Sequence, residues 1–400
     1  MAEFKREVLS NGVILLHEKR TLPVTSVAIA CKVGSINENK SIKGVSHFVE
    51  HTTFKGTTKR DQKQIKSEIE GVGGDFNAFT DHETTAYHAK VPSRHFDKAF
   101  DVLADMVQNA VFPELEIEKE KKVILEEIKM IYDDPKRFLF EKVFESLYSG
   151  DFGLPIIGTK ESVSSLSREK MLKWYNNYYQ SKNFIVSVVG KNEFEEVKKA
   201  VEEKISFRSN PKINNLKTKK RIKDFVETRK QIEQAHLGFA FHLPNGFSEY
   251  RYAAEVANAL LGFGMSSWLF QEIREKRALA YATKSILDLG RNFGYLLIYV
   301  GTDKNKITEV ETVTNELIKR LKEIDTKDLE EPKEQLIGNW ELARENSLLT
   351  CIDLIGYELI NKIDDYYRYD EKISAVNATH IKELFKETIG LAKVFILPRK

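Results

Sequence analysis

Cysteine is almost missing from this chain: its 400 residues include only two, Cys31 and Cys351. They are far apart and match no zinc-binding or redox spacing, so cysteine-based metal or thiol chemistry is not indicated. The two could form one disulfide, but two isolated thiols are more typical of a protein in a reducing compartment. We therefore expect a cytoplasmic protein.

The chain also lacks an excess of charge of one sign and any long apolar run. Its net charge is +2, from 62 basic and 60 acidic side chains, whereas nucleic-acid-binding proteins usually carry a concentrated basic patch. No segment approaches the length of a membrane span, and the N-terminal sequence has no apolar core like that of a signal peptide. The sequence predicts neither a nucleic-acid partner nor a membrane association.

The order of strands and helices can be predicted from the pattern of apolar residues. Alternating polar and apolar residues around Asn11 and Gly12 predict a β-hairpin near the N-terminus. Further predicted strands are 24–35, two within 74–91, 183–190, 234–243, 281–289, 292–301 and 392–398. The predicted helices are 43–55, 61–71, 93–110, 114–132, 136–149, 168–180, 193–204, 249–261, 266–277, 304–324 and 329–363.

The element order recurs after a polar segment in the middle of the chain. Residues 206–226 lack strong periodicity and carry Pro211, which predicts a linker. The linker separates a first domain, 1–205, from a second, 227–400. Hairpins mixed with long helices favour two similar α+β domains, related by internal duplication, with mixed or antiparallel sheets covered by helices.

A candidate metal site lies in the segment HFVEH. His47, Glu50 and His51 stand at positions i, i+3 and i+4, so a helix places them on one face. Two imidazoles one turn apart can hold one zinc ion, and catalytic zinc needs a third protein ligand and an open position for water. The pattern also arises by chance, and two ordinary histidines are the alternative. The zinc-type motif occurs only in the first half.

The HFVEH segment resembles the inverted zinc motif of the pitrilysin, insulin-degrading enzyme and mitochondrial processing peptidase family, the inverzincins. The resemblance implies one zinc ion per chain, bound by His47, His51 and a third ligand on a later helix, Glu127. It also implies that Glu50 is the catalytic base. Glu120, two turns before Glu127, matches a glutamate that orients a ligand or the base. Without the resemblance, Glu120 and Glu127 would be ordinary charges on a solvated helix face.

Segment 71–88 is similar to the edge-strand segment of the same family. The resemblance implies that the backbone at Asn77 and Ala78, with the Asn77 side chain, holds the substrate. An open strand edge binds extended peptides through main-chain hydrogen bonds, which gives little sequence preference. On local grounds alone, Asn77 would be a turn or bulge residue.

Segment 260–285 resembles the matching segment of the family's second half. The resemblance implies that Tyr281 hydrogen-bonds the oxyanion that forms on the scissile carbonyl and that Arg274 engages the substrate backbone. From the sequence alone, Arg274 would be a charge on a helix surface.

The resemblance covers about residue 5 to about residue 395, with three departures. Phe263 and Trp268 stand where the family pattern usually carries a glycine and an arginine, and Thr52 stands where a large apolar residue is usual. These departures concern the shape of the substrate groove rather than the zinc site.

The family's activity implies a zinc-dependent endopeptidase that cleaves unfolded peptides. Relatives enclose the substrate in a clam-like chamber of four α+β domains, and a chain with two such domains needs a second chain to complete it. A homodimer is the simplest prediction, and a heterodimer with a related chain is the alternative. Two other functions stay open: a dedicated processing protease that removes a leader or presequence from one partner protein, and a non-catalytic family scaffold.

Overall fold

The computed structural model describes residues 3–206, 210, 218–386 and 390–399. Its strands form two mixed sheets. The strands of the first sheet are β1 (Glu3–Val8), β2 (Ile14–Lys19), β3 (Val24–Cys31), β4 (Asp75–Thr80), β5 (Thr85–Pro92) and β6 (Phe184–Gly190). Those of the second are β7 (Phe225–Arg229), β8 (Ala235–His242), β9 (Ala280–Leu289), β10 (Gly294–Thr302) and β11 (Ala392–Pro398).

The two sheets have the same topology. The first has the order β1-β2-β6-β3-β5-β4, and the second has the order β7-β11-β8-β10-β9. In both, one parallel pair (β2 with β6, β7 with β11) is followed by antiparallel neighbours only. Strand β1, which pairs with β2 in the N-terminal hairpin, is the extra member of the first sheet. The shared order confirms two similar α+β domains, as the predicted internal duplication requires.

Fifteen α-helices are described in the same residues. They are α1 (Val45–Thr53), α2 (Gln62–Glu70), α3 (Phe96–Asn109), α4 (Glu114–Asp133), α5 (Pro135–Leu147), α6 (Lys160–Ser165), α7 (Arg168–Tyr178), α8 (Phe194–Lys204), α9 (Arg251–Gly262), α10 (Ile307–Arg320), α11 (Glu330–Ala343), α12 (Ser347–Leu359), α13 (Ile363–Tyr366), α14 (Tyr369–Ser374) and α15 (Ala378–Lys386).

Two helices are exchanged between the halves of the chain. One compact unit comprises 1–128, 154–216 and 343–359, and the other comprises 129–153, 217–342 and 360–400. Helix α12, from the second half, packs on β3 and β6, while α5, from the first half, packs on β8 and β11. Since β3 and β6 occupy the places that β8 and β11 hold in the other sheet, the two helices cover equivalent strands.

Helix α12 is suited to its place by an apolar sequence and two polar contacts. The Ser347 hydroxyl lies 2.9 Å from the Ser26 hydroxyl of β3, and the Cys351 thiol donates to the Ser187 carbonyl of β6 at 3.0 Å. Cys351 and Cys31 are both buried and free, so the disulfide that the sequence left open is not formed.

Two of the helices predicted in the C-terminal half differ from those observed, and β7, α14 and α15 were not predicted. The predicted helix 329–363 is interrupted, because the Asn346 side chain accepts from the Leu348 N–H and begins a new helix, α12. The predicted helix 266–277 contains a π-helix, Phe270–Glu275, in which the Lys276 N–H reaches back to the Gln271 carbonyl at 2.9 Å.

The predicted linker 206–226 lies partly outside the described residues, and its last two residues already belong to β7. Strand β3 ends at Cys31, before the predicted end at residue 35. Within the described ranges, no helix combines the length and the apolar character needed to cross a membrane.

Candidate metal centre

Helix α1, which carries the HFVEH segment, begins at a buried charge pair. The Glu38 carboxylate accepts hydrogen bonds from the backbone N–H groups of Gly44 and Ser46, at 2.8 and 2.7 Å, and so satisfies two donors at the helix start. Lys43, fully buried, places its Nζ 3.8 Å from Glu38. Gly44 has φ +90°, and a Cβ there would lie 2.5 Å from the Ile157 carbonyl oxygen. These contacts therefore fix the backbone position at the first turn of α1.

The structure brings three of the predicted residues together as a group that could hold a metal. His47 and His51 project from one face of α1, and Glu127 faces them from α4. The Glu127 Oε2 lies 3.9 Å from the His47 Nε2 and 3.8 Å from the His51 Nε2. Ligands of one tetrahedral zinc ion stand about 3.3 Å apart, so the donor set fits zinc after small side-chain movements. About a third of the Glu127 side chain is exposed, which leaves an approach for water and substrate.

Glu120 fixes the orientation of His51. The His51 Nδ1–H donates to the Glu120 Oε2 at 3.0 Å, and the other Glu120 oxygen accepts from the Lys55 Nζ at 2.7 Å. With a proton on Nδ1, the Nε2 lone pair of His51 is free to point towards Glu127. Of the two roles that the family resemblance allowed for Glu120, the geometry fits orientation of a ligand.

The two histidines have different electrostatic surroundings. Burial, with a smaller effect of the neighbouring His51, lowers the pKa of His47 to about 3. Burial would also lower the pKa of His51, but the hydrogen bond to Glu120 and the charges of Glu127 and Glu50 together raise it. A neutral His47 has a lone pair available for a metal without first losing a proton.

Glu50 lies beside the metal group, buried to 8% exposure. Its Oε2 accepts a hydrogen bond of 2.6 Å from the Thr80 hydroxyl, at the end of β4. Burial raises the pKa of Glu50, and the hydrogen bond from Thr80 opposes that rise. A carboxylate with a raised pKa is a better proton acceptor than an ordinary surface glutamate.

The predicted substrate residues Asn77 and Ala78 lie in β4, at the edge of the first sheet. Strand β4 pairs with β5 on one side, and no other described strand pairs with it. Asn77 is exposed, and its side-chain oxygen accepts from the Ala78 N–H at 2.9 Å. An incoming peptide could therefore pair with this edge, but it would compete with Asn77 for the Ala78 N–H.

Arg274 and Tyr281 belong to the second compact unit, where the structure places them next to each other. The Arg274 Nη1 donates to the Tyr281 carbonyl at 3.2 Å, and its guanidinium lies 4.7 Å from the centre of the Phe270 ring. Both residues are exposed. The Tyr281 ring crosses the backbone of β10: a Cβ added to Gly301 would lie 2.8 Å from the tyrosine hydroxyl. Both side chains reach the surface of their unit, where they could contact a ligand, and the Tyr281 hydroxyl also interacts with the side chain of Tyr299.

Comparison with known proteins identifies the family. Residues 13–160 match the family described as Insulinase (Peptidase family M16), and residues 165–336 match the Peptidase M16 inactive domain. An uncharacterized zinc protease of Bacillus subtilis is 33% identical over 401 residues, which cover 98% of both chains. The chain belongs to the M16 peptidase family. This M16 chain is also 36% identical to an uncharacterized zinc protease of Rickettsia bellii, over 86% of this chain and 84% of that one.

The M16 fold is confirmed by solved structures. A protease from Helicobacter pylori superposes with a TM-score of 0.92 over the whole of both chains, at 22% identity. The predicted family and the predicted two-domain α+β architecture are both confirmed. The names of the M16 relatives support a zinc-protease assignment at a general level. The description of the second domain as inactive agrees with the presence of the HFVEH motif in the first half alone.

Two residues of the M16 site were not predicted from the sequence. Lys55 lies four residues after His51, in the turn that follows α1, and within the predicted helix 43–55 this spacing could have indicated it as a partner for an acid near His51. Thr80 lies at an even spacing from Phe76 and Ala78, which predicts that all three share a face of β4. Neither spacing identifies the acid that the side chain contacts, which is Glu120 for Lys55 and Glu50 for Thr80.

Proposed function

We propose that this protein is a zinc-dependent endopeptidase. The observation that carries the proposal is the convergence of His47, His51 and Glu127, beside a buried glutamate and an open strand edge. We further propose one zinc ion per chain, because the described residues supply one group with a suitable donor set. A zinc ion held there would polarise the scissile carbonyl and make a water molecule acidic enough to act as a nucleophile near neutral pH.

Residues of the chain would carry out proton transfer, ligand orientation and substrate binding around that ion. Glu50 would take a proton from the attacking water and pass it to the leaving amine. Glu120, through His51, would keep the ligand geometry constant during turnover. Tyr281 would donate a hydrogen bond to the developing oxyanion, and Arg274 would hold the substrate backbone.

We propose unfolded peptides as the substrates. Strand β4 would bind a peptide at Asn77 and Ala78 through main-chain hydrogen bonds, which require an extended backbone and read few side chains. A homodimer would supply the four domains of a closed chamber, and a heterodimer with a related chain is the alternative. We also propose a cytoplasmic location, which the two free thiols support.

The decisive experiment is Glu50→Gln. This change keeps the size of the side chain but removes the proton acceptor, so the variant should bind zinc as the wild type does and lose about 10²- to 10⁴-fold in kcat. Peptide cleavage should be followed on an unfolded peptide mixture, with a chelator control and a measurement of zinc content. Full turnover by the variant would remove Glu50 from the role of base.

A digest of the same mixture also measures how broad the specificity is. Cleavage of many unrelated peptides supports a general endopeptidase. Cleavage of none, combined with a single processed partner protein, supports a dedicated processing protease. Bound zinc without turnover in either assay would indicate a scaffold.

A further inference from the structure

One hydrogen bond connects the edge strand β4 to Glu50, and the proposed mechanism gives it no role so far. The Thr80 hydroxyl donates to the Glu50 Oε2 at 2.6 Å, short enough for a bond to a charged acceptor. Within the described residues, no other side chain donates to this carboxylate. Thr80 therefore provides the side-chain hydrogen bond that fixes the direction of Glu50.

Strand geometry explains why residue 80 reaches the helix. Side chains alternate along a strand, so Phe76, Ala78 and Thr80 point to the same face of β4. That face is turned towards α1: the Phe76 ring lies 5.6 Å from the ring of Phe54, which directly follows the helix. Thr80 thus makes its contact with α1 three residues from Asn77, where we propose that the substrate binds.

The backbone of Thr80 is held independently of its side chain. Thr80 pairs with Thr85 across the β4–β5 turn, and the Asp81 N–H donates to the Thr84 carbonyl at 2.8 Å. The hydroxyl is therefore presented from a fixed backbone. A hydrogen bond from a fixed donor occupies one carboxylate oxygen, which leaves the other oxygen of Glu50 to accept a proton from water.

We propose that Thr80 is a positioning residue, which holds the Glu50 carboxylate in the orientation needed for proton transfer and links it to the strand that binds the substrate. The proposal rests on the proposed function, since it takes Glu50 to be the base. It assigns Thr80 no contact with the reacting atoms. Its effect is expected on kcat rather than on zinc binding or KM, because neither metal ligands nor the peptide edge change when the hydroxyl is removed.

The test compares Thr80→Val, which keeps the shape and removes the hydroxyl, with Thr80→Ser, which keeps the hydroxyl. We expect Thr80→Val to lower kcat by roughly 10- to 100-fold, with KM within about twofold and zinc content unchanged. Thr80→Ser should recover most of that loss. Thr58→Val is the matched control, because Thr58 is exposed and lies in the same unit. It should retain wild-type kcat.

A second readout needs neither zinc nor turnover. In metal-free protein, the thermal midpoint of Thr80→Val should fall by a few degrees when Glu50 is present and remain nearly unchanged in a Glu50→Ala background, since the hydrogen bond is then already absent. Equal losses in both backgrounds would show that Thr80 stabilises the strand without coupling to Glu50, and would overturn the proposal.

The failure of this inference and the failure of the proposed function give different results. If Glu50→Gln is inactive but Thr80→Val retains wild-type kcat, Glu50 is the base and Thr80 does not position it. If Glu50→Gln remains active, the base assignment itself is wrong, and the proposal for Thr80 fails with it. A loss of kcat in Thr80→Val that serine does not restore also contradicts the proposal.

Discussion

One ligand of the metal group, His51, depends on neighbours that do not touch the metal position. His51 owes its orientation to Glu120, and Glu120 is itself fixed by Lys55. The consequence is that affinity for zinc should be sensitive to residues that a list of ligands leaves out.

Replacement of Glu120 by alanine is expected to weaken zinc binding by roughly 10- to 100-fold, because the His51 ring loses the acceptor that fixes its orientation and tautomer. Competition with a chromogenic chelator measures the affinity directly. Glu118→Ala is the matched control, since Glu118 lies on the same helix and is exposed. Equal affinities for the wild type and Glu120→Ala would contradict the role given to Glu120.

Acid sensitivity should depend on His82, whose Nδ1 lies 3.2 Å from the Ser35 hydroxyl. Burial and the charge of Lys43 lower the pKa of His82 to about 3, whereas an unfolded chain protonates its histidines near pH 6.5. As the pH falls from about 6.5 towards 3, the unfolded chain therefore binds a proton that the folded protein does not. The free energy of unfolding decreases by up to about 1.4 kcal/mol per pH unit from this group.

The measurement is urea unfolding at pH 7 and pH 5, with a chelator present, for the wild type and for His82→Asn. The variant should lose less stability between the two pH values, by up to about 2 kcal/mol. The same loss in both proteins would show that His82 is not the group responsible.

At the scale of elements, local sequence predicted most of the fold and distant contacts explain the exceptions. The hairpin at Asn11 and Gly12, and the α2 helix with its Asp61 cap, follow from signals within a few residues. The interruption of the predicted helix 329–363 has a local cause in the Asn346 cap, but no local signal predicts that α12 packs on β3 and β6, far away in the chain. The π-helix at Phe270–Glu275 likewise has an amphipathic pattern that also suits an α-helix.

For the site too, local spacing predicted some residues and not others. The spacing of His47 and His51 made a metal site a candidate and left two ordinary histidines as the alternative, and Glu120 and Glu127 were selected only through the family resemblance. No periodicity reports which charge on a helix faces another helix. Thr80 was missed for the same reason: its partner is in a different element.

The exchanged helices predict that a mutation in one half of the chain destabilises the sheet of the other half. Leu354 of α12 and Leu139 of α5 are fully buried, and replacement of either by alanine should cost about 2–5 kcal/mol. Hydrogen exchange should show that Leu354→Ala lowers the protection of β3 and β6, while Leu139→Ala lowers that of β8 and β11. Loss of protection in the sheet of the mutated residue's own half of the chain would contradict the exchange.

For the whole molecule, the proposed chamber makes a prediction about assembly. If the proposed homodimer forms, the purified protein should sediment at about twice the 46.1 kDa mass of one chain, because the proposed four-domain chamber requires two chains. Sedimentation velocity over a series of micromolar concentrations measures this. A single-chain mass throughout would contradict a homodimer and favour assembly with a related chain.

The position of α12 in the chain also affects when the first half can fold during translation. On the ribosome, strands β1 to β6 emerge long before residue 359, so the apolar surface that α12 will cover has no partner while nearly half of the polypeptide is still being made. Exposed apolar surface of this kind is where nascent chains aggregate or recruit chaperones. The first half should therefore reach its native, protease-resistant state only when translation is almost complete.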